Sequence, residues 1–195
     1  WQGWLLLLVF FVAGSAATRA GYARKERIGA AQRARGARGA REALANTGVA
    51  LLLALAGLFW ELPWLPFAVG GAFATALADT AASELGPIWG RRTVHPLTLR
   101  RVAPGSEGGI SLEGTLAGTA GALLVAAAAA ATGWLPPESL WILPLAGTLA
   151  SYAESVLGAW KRAAPWRQNE LLNLMNTALG AALAVLFGGV GGALP

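Results

Sequence analysis

The sequence contains no cysteine, only one histidine, and few charges of either sign. The first absence excludes disulfides, thiolate metal sites and a cysteine nucleophile. Charged residues make up 13% of the 195-residue chain and hydrophobic residues 55%. The apolar residues fall in blocks close to the roughly 20 residues that cross a bilayer. These features predict an all-α integral membrane protein, a single polytopic domain over residues 1–195. Its helical blocks are expected near 1–18, 43–61, 64–82, 114–134, 140–160 and 171–190, with Pro, Gly or polar punctuation between them. About six transmembrane helices follow. The chain starts at Trp1, inside "WQGWLLLLVFFVAG", so native residues are expected to precede it and the first span to be incomplete. No charged n-region or cleavage context marks that stretch as a signal peptide.

Two turns, "WELPWLP" and "GWLPPES", contain no basic residue. All fifteen Lys and Arg residues lie in three other connections, 19–42, 83–113 and 161–167. A six-span arrangement puts those three on one side, and the positive-inside rule makes that side cytoplasmic. Trp60, Trp64, Trp134 and Trp141 flank the outer turns, while Trp89, Trp160 and Trp166 flank the inner ones, as interfacial anchors do. Both ends of the chain are then outside, in a membrane expected to be a prokaryotic inner or plasma membrane. Topology and attraction to anionic headgroups account for a pI near 10.7, and no nucleic-acid motif accompanies the charge. Nucleic acid is not an expected partner.

Against this background the carboxylates of "LADTAASELGP" stand out. Asp79 lies about one turn before the inner end of the third span and Glu84 just beyond it. A carboxylate at mid-bilayer costs about 2.5–3.5 kcal/mol on insertion scales, less near the interface, and calls for a partner, water or an ion. Thr75, Asp79 and Ser83 share one helical face, with Thr80 and Glu84 on the neighbouring stripe. Glu154, beside Ser151 and Ser155, is a second intramembrane acid at similar depth. Asn169, Asn173 and Asn176 share a face at the start of the last span. Polar groups of three spans therefore point to one inner depth.

Between the third and fourth spans runs "APGSEGGISLEGTLAG". Its plain reading is a flexible connector. Its glycines also permit close backbone approach, and its N–H groups at a helix start suit phosphate. It lacks the Gly-Lys-Ser/Thr ending of a Walker A loop. Arg100 and Arg101 precede it. Acids for Mg²⁺ beside bases and N–H groups for phosphate are the parts that phosphoryl transfer uses. His95, before Pro96, is read as an exposed loop residue.

In order along the chain, "GSAATRAGYARKERIGAAQ", "GAREALANTGVA", "ALADTAASELGP", "VAPGSEGGISLEGTLAG", "SYAESVLGA" and "NELLNLMNTALGA" make the sequence resemble the transmembrane protein 19 family, a family defined as a domain of unknown function. That family includes phytyl phosphate kinases of plants and cyanobacteria. The resemblance implies a polytopic kinase moving a phosphate from CTP, or another nucleoside triphosphate such as ATP, to an isoprenoid monophosphate. Mg²⁺ is the implied cofactor.

Carried over by resemblance, the acidic block matches Asp79, Ser83 and Glu84. The glycine loop matches Gly105, Ser106, Gly108, Gly109, Ser111 and Gly114, and the asparagine block Asn169, Asn173 and Asn176. The fifth-span block of the family has Asp before Ser where this chain has Glu154. On this reading Asp79, Glu84 and Glu154 hold one or two Mg²⁺ ions. The triphosphate rests on residues 105–109 and on Lys25, Arg100 or Arg101, with Arg41 a further phosphate contact. The prenyl tail lies between spans bordered by small residues such as Gly114 and Gly118. Spacing of that kind more often packs helices within a chain than joins two copies in a homodimer.

Two other classes compete. An ion- or proton-coupled transporter needs acids at the midplane and related halves of the chain. A non-catalytic membrane scaffold tolerates neutral replacement of Asp79.

Overall fold

A computed structural model describes residues 1–31, 40–160 and 169–194. Among them are seven helices: α1 (Gln2–Arg19), α2 (Tyr22–Arg27), α3 (Ala40–Ala56), α4 (Leu65–Trp89), α5 (Leu112–Ala131), α6 (Ser139–Trp160) and α7 (Asn169–Val190). Five of them, α1 and α4 to α7, are long and apolar enough to cross a membrane. With 17 residues, α3 lies at the short end of the range that spans a bilayer. The six expected blocks thus correspond to six long helices, and the short α2 is added between the first two.

The bundle is organised around α4. Of its membrane window 78% is buried, against at most 44% for the other four, and α1, α3, α5, α6 and α7 all pack on it. A helix buried on every side needs small residues, because in lipid the attraction between helices comes from close van der Waals contact. Gly70, Gly71, Ala72, Ala74, Ala76 and Ala78 supply them, and all are buried. Across the α4–α5 contact, a Cβ on Gly118 would lie 2.7 Å from the carbonyl oxygen of Ala78. Across α4–α7, a Cβ on Gly71 would lie 2.6 Å from that of Gly180. The backbone of α4 thus fills the space on its own side of Gly114 and Gly118, and both glycines also line a small crevice of about 60 Å³ toward α6.

Two details differ from the sequence reading in ways that matter for the site. The third block was expected to end at 82, yet α4 runs to Trp89 through Pro87, so Ser83 and Glu84 sit on the helix itself. Gly86 and Ile88 are buried in its last turns, and that packing outweighs the Gly-Pro stop signal. The loop from 90 to 111 is a pinned structure and not a free connector. Val94 bridges both Arg101 and Ile110, with Val94 N–H donating to Ile110 O at 2.8 Å and Ile110 N–H returning to Val94 O at 2.9 Å.

Candidate functional site

A cavity of about 270 Å³ opens at the end of the bundle where α4 and α6 finish and α3 and α7 begin. Helix α4 gives it Asp79, Ser83 and Glu84, and α6 gives Glu154 and Ser155. The glycine loop contributes Gly105, Ser106, Glu107, Gly108 and Gly109, α3 contributes Glu42 and Asn46, and α7 contributes Asn173. Five carboxylates thus line one space, and no lining side chain among the described residues is basic.

Asp79 and Ser83 are one turn apart, and the Ser83 hydroxyl donates back to the Asp79 carbonyl at 2.7 Å. That bond orients Ser83 along the helix. The Ser151 hydroxyl of α6 stands 3.5 Å from Asp79 Oδ1, a separation too long for a strong bond.

Glu84 is only 3% exposed, and its Oε2 lies 2.6 Å from the ammonium of Lys25, itself 1% exposed. The same ammonium donates to the carbonyls of Ala17 at 3.2 Å and Thr18 at 2.6 Å. These belong to the last turn of α1, where backbone carbonyls lack helical partners and carry the negative end of the dipole. A left-handed turn at Gly21, with φ of +58°, folds α2 back so that Lys25 reaches them. All three ammonium protons are matched by an acceptor. Lys25 therefore secures Glu84 from behind and does not line the cavity. The other carboxylate oxygen, Oε1, is buried with no hydrogen-bond partner among the described residues.

The loop lies on the end of α6. A Cβ on Gly108 would stand 2.6 Å from both Ser155 O and Ala159 N, and its φ of +68° favours glycine in any case. The N–H groups of Ser106 and Gly109 close turns onto Ala103 O and Ser106 O. Those of Gly105 and Gly108 donate to no backbone carbonyl among the described residues. Ser111 caps α5, its hydroxyl accepting from Gly114 N–H at 3.1 Å.

Of the residues singled out from sequence, the cavity brings together Asp79, Ser83, Glu84, Glu154, Gly105, Ser106, Gly108, Gly109 and Asn173. Arg100 and Arg101 are exposed on the bridged loop and do not line it. Asn176 is buried outside its lining, with Oδ1 lacking a partner among the described residues. Arg41 is exposed at the start of α3. The side chain of Asn169 lies outside the described residues, as do Arg33, Arg35, Arg38, Lys161, Arg162, Trp166 and Arg167. His95 is half-buried, its Nδ1 accepting from Leu97 N–H at 3.3 Å. Glu42, Asn46 and Glu107 were missed. The four-residue spacing of Glu42 and Asn46 is a signal that sequence reading can use, because it sets both on one helical face.

Among the described residues no three His, Asp or Glu side chains form a ready-made metal cluster. Mg²⁺ seldom requires one, since it is usually held by one or two carboxylates together with substrate phosphates and water. Asp79, Glu154 and Glu84 line one cavity, so one or two of them could serve in that mode of binding.

The model of the family described as integral membrane protein DUF92 matches residues 1–181. An uncharacterised membrane protein of Synechocystis is 40% identical over 190 residues, covering 95% of this chain and 73% of its own. Protein VTE6, chloroplastic, of Arabidopsis thaliana is 32% identical over 94% of this chain, which spans 58% of that longer protein. An uncharacterised membrane protein of Methanocaldococcus jannaschii is 30% identical, over 93% of this chain and 74% of its own. No solved structure gives a significant match.

Proposed function

The chain belongs to the integral membrane protein family DUF92, and we propose that it is a membrane phosphotransferase. In this reading it moves the terminal phosphate of a nucleoside triphosphate, CTP or ATP, onto an isoprenoid monophosphate. The observation that carries the reading is the convergence of Asp79, Glu84 and Glu154 with the glycine loop on one cavity at one end of the bundle. Carboxylates next to a triphosphate repel it unless a divalent cation lies between them. One or two of Asp79, Glu154 and Glu84, together with the donor's phosphates and water, would hold Mg²⁺, which when bound supplies charge neutralisation and alignment of the phosphates.

The protein's own groups have limited tasks in such a reaction. The N–H groups of Gly105 and Gly108 are suited to donate to phosphate oxygens of the donor. Lys25 pairs with the Glu84 carboxylate and fixes it in place. The acceptor is a phosphate whose oxygen is already ionised near neutral pH, so attack needs no strong general base. That oxygen bonds to the terminal phosphorus of the donor as the bond to the bridging oxygen breaks. The nucleoside diphosphate leaves with the electron pair, and an isoprenoid diphosphate results. Transfer of this kind depends mostly on positioning.

The test uses purified protein in nanodiscs with Mg²⁺, terminally labelled CTP or ATP, and phytyl or geranylgeranyl monophosphate. Label should appear in the lipid diphosphate and be lost in Asp79→Asn and Glu154→Gln variants that keep their thermal transition. Absence of transfer by the unaltered protein, or its persistence in both variants, overturns the proposal.

A further inference from the structure

A second, smaller crevice of about 60 Å³ lies between α4, α5 and α6 and shares part of its wall with the acid cavity. Asp79, Ala82, Ser83, Gly109 and Ser155 belong to both linings. Its outer wall is a seam of hydroxyl pairs between two antiparallel helices. Thr115 Oγ1 lies 3.0 Å from the Tyr152 hydroxyl, and one turn along, Thr119 Oγ1 lies 3.0 Å from Thr148 Oγ1. Tyr152 is 36% exposed on the outer surface, and Leu116, Leu145 and Leu149 around it are exposed too. The crevice therefore extends from a surface that faces the bilayer to the carboxylate at Asp79.

This seam differs from the other contacts around the site. Gly118 brings α5 against the backbone of α4, and Gly71 brings α4 against that of α7, with no room for a Cβ. Between α5 and α6 the rungs are neutral hydroxyl pairs. Such interhelical bonds contribute little on average in a membrane, because the separated helices find other partners. Each threonine of α5 can fall back on its own helix, because Thr115 also bonds Ser111 O and Thr119 also bonds Thr115 O. Parting the seam leaves few groups unsatisfied. At about 60 Å³ the closed crevice holds only about two waters' share of liquid volume, too little for an isoprenoid chain.

We propose that the Thr115–Tyr152 and Thr119–Thr148 seam is the lateral portal for an isoprenyl phosphate. The phosphate end passes along Ser83 and Ser155 to the acid cavity, and the chain stays between α5 and α6, in contact with lipid. The identity of the ligand rests on the phosphotransferase reading. The chemistry of the crevice suits an amphiphile: hydroxyls leading to a site for metal and phosphate, with an apolar surface behind them.

A cysteine-free chain makes the test direct. Tyr152→Cys is labelled with a bilayer-soluble maleimide in nanodiscs with Mg²⁺ present. Geranylgeranyl monophosphate at ten times its Kd should slow labelling about tenfold, while geranylgeraniol and inorganic phosphate leave it unchanged. No protection by the lipid phosphate overturns the proposal, and equal protection by the alcohol overturns it as well. This readout does not depend on turnover, so it holds even if the protein transfers no phosphate. Thr119→Cys/Thr148→Cys supplies a second test, since side-chain oxygens 3.0 Å apart place two sulfurs within reach of a disulfide. Oxidation should block phosphorylation of geranylgeranyl monophosphate, spare dimethylallyl monophosphate, and reverse with reductant. Full turnover of the long-chain substrate in the cross-linked protein refutes a portal at this seam.

Discussion

Glu84 accepts a 2.6 Å hydrogen bond from Lys25, a residue 59 positions earlier in the chain, and both side chains are almost wholly buried. The bond ties the end of α1 to the acid-bearing turns of α4. It gives α2, a helix of six residues, a definite structural task.

Breaking this pair from one side is expected to be costly. Lys25→Met leaves a buried carboxylate and two helix-end carbonyls without their cation, and should destabilise the fold by about 3–5 kcal/mol. Lys25→Met/Glu84→Met should recover most of that loss. Thermal unfolding in detergent measures both, and additive losses in the double variant would refute the coupling.

Asp79→Asn keeps the shape of the side chain but removes its charge. If Asp79 holds a divalent cation, the Mg²⁺ concentration for half-maximal phosphoryl transfer should rise by at least about 10–100-fold. Titration of activity with Mg²⁺ reads this. An unchanged requirement removes Asp79 from the metal site.

Gly108→Ala puts a methyl group against Ser155 O and Ala159 N at a φ of +68°. A left-handed backbone costs a non-glycine residue about 1–2 kcal/mol, so nucleotide affinity should fall roughly tenfold as the loop shifts off α6. Nucleotide binding followed by calorimetry checks it. Gly105→Ala provides a comparison at the other left-handed glycine of the loop, where the neighbour is the Ala30 side chain.

Topology can be tested separately from activity. Arg100→Cys and Glu138→Cys, both at exposed positions, should react with an impermeant maleimide from opposite sides of sealed vesicles, Arg100→Cys from the cytoplasmic side. Labelling of both from one side would reject the proposed orientation.

The helical blocks were legible because a bilayer imposes length and apolarity on each segment, and both can be read one residue at a time. That Asp79 and Glu154 would share one cavity was legible too, since each acid lies in the half of its helix nearer the basic connections. What could not be read was partnership. Nothing local to Lys25 says that its ammonium turns back onto α1 and Glu84, because that depends on a left-handed turn at Gly21 and on how α1 packs on α4. Arg100 and Arg101 adjoin the glycine loop in sequence, yet the Val94 bridges hold them on its exposed side. Glu42 ends a basic connection whose charge topology explains, and Asn46 falls just inside the second apolar block, so neither stands out as a site residue in the sequence.

The order of the chain adds one last point about the buried pair. Synthesis runs from the N-terminus, so Lys25 has left the ribosome before Glu84 is made, and the anion enters the translocon with its counterion already waiting. The ion pair is thus expected to help thread α4 into the membrane as well as to hold it there. Integration of chains truncated after Trp89, with Lys25 or with Lys25→Met, would show whether that assistance is real.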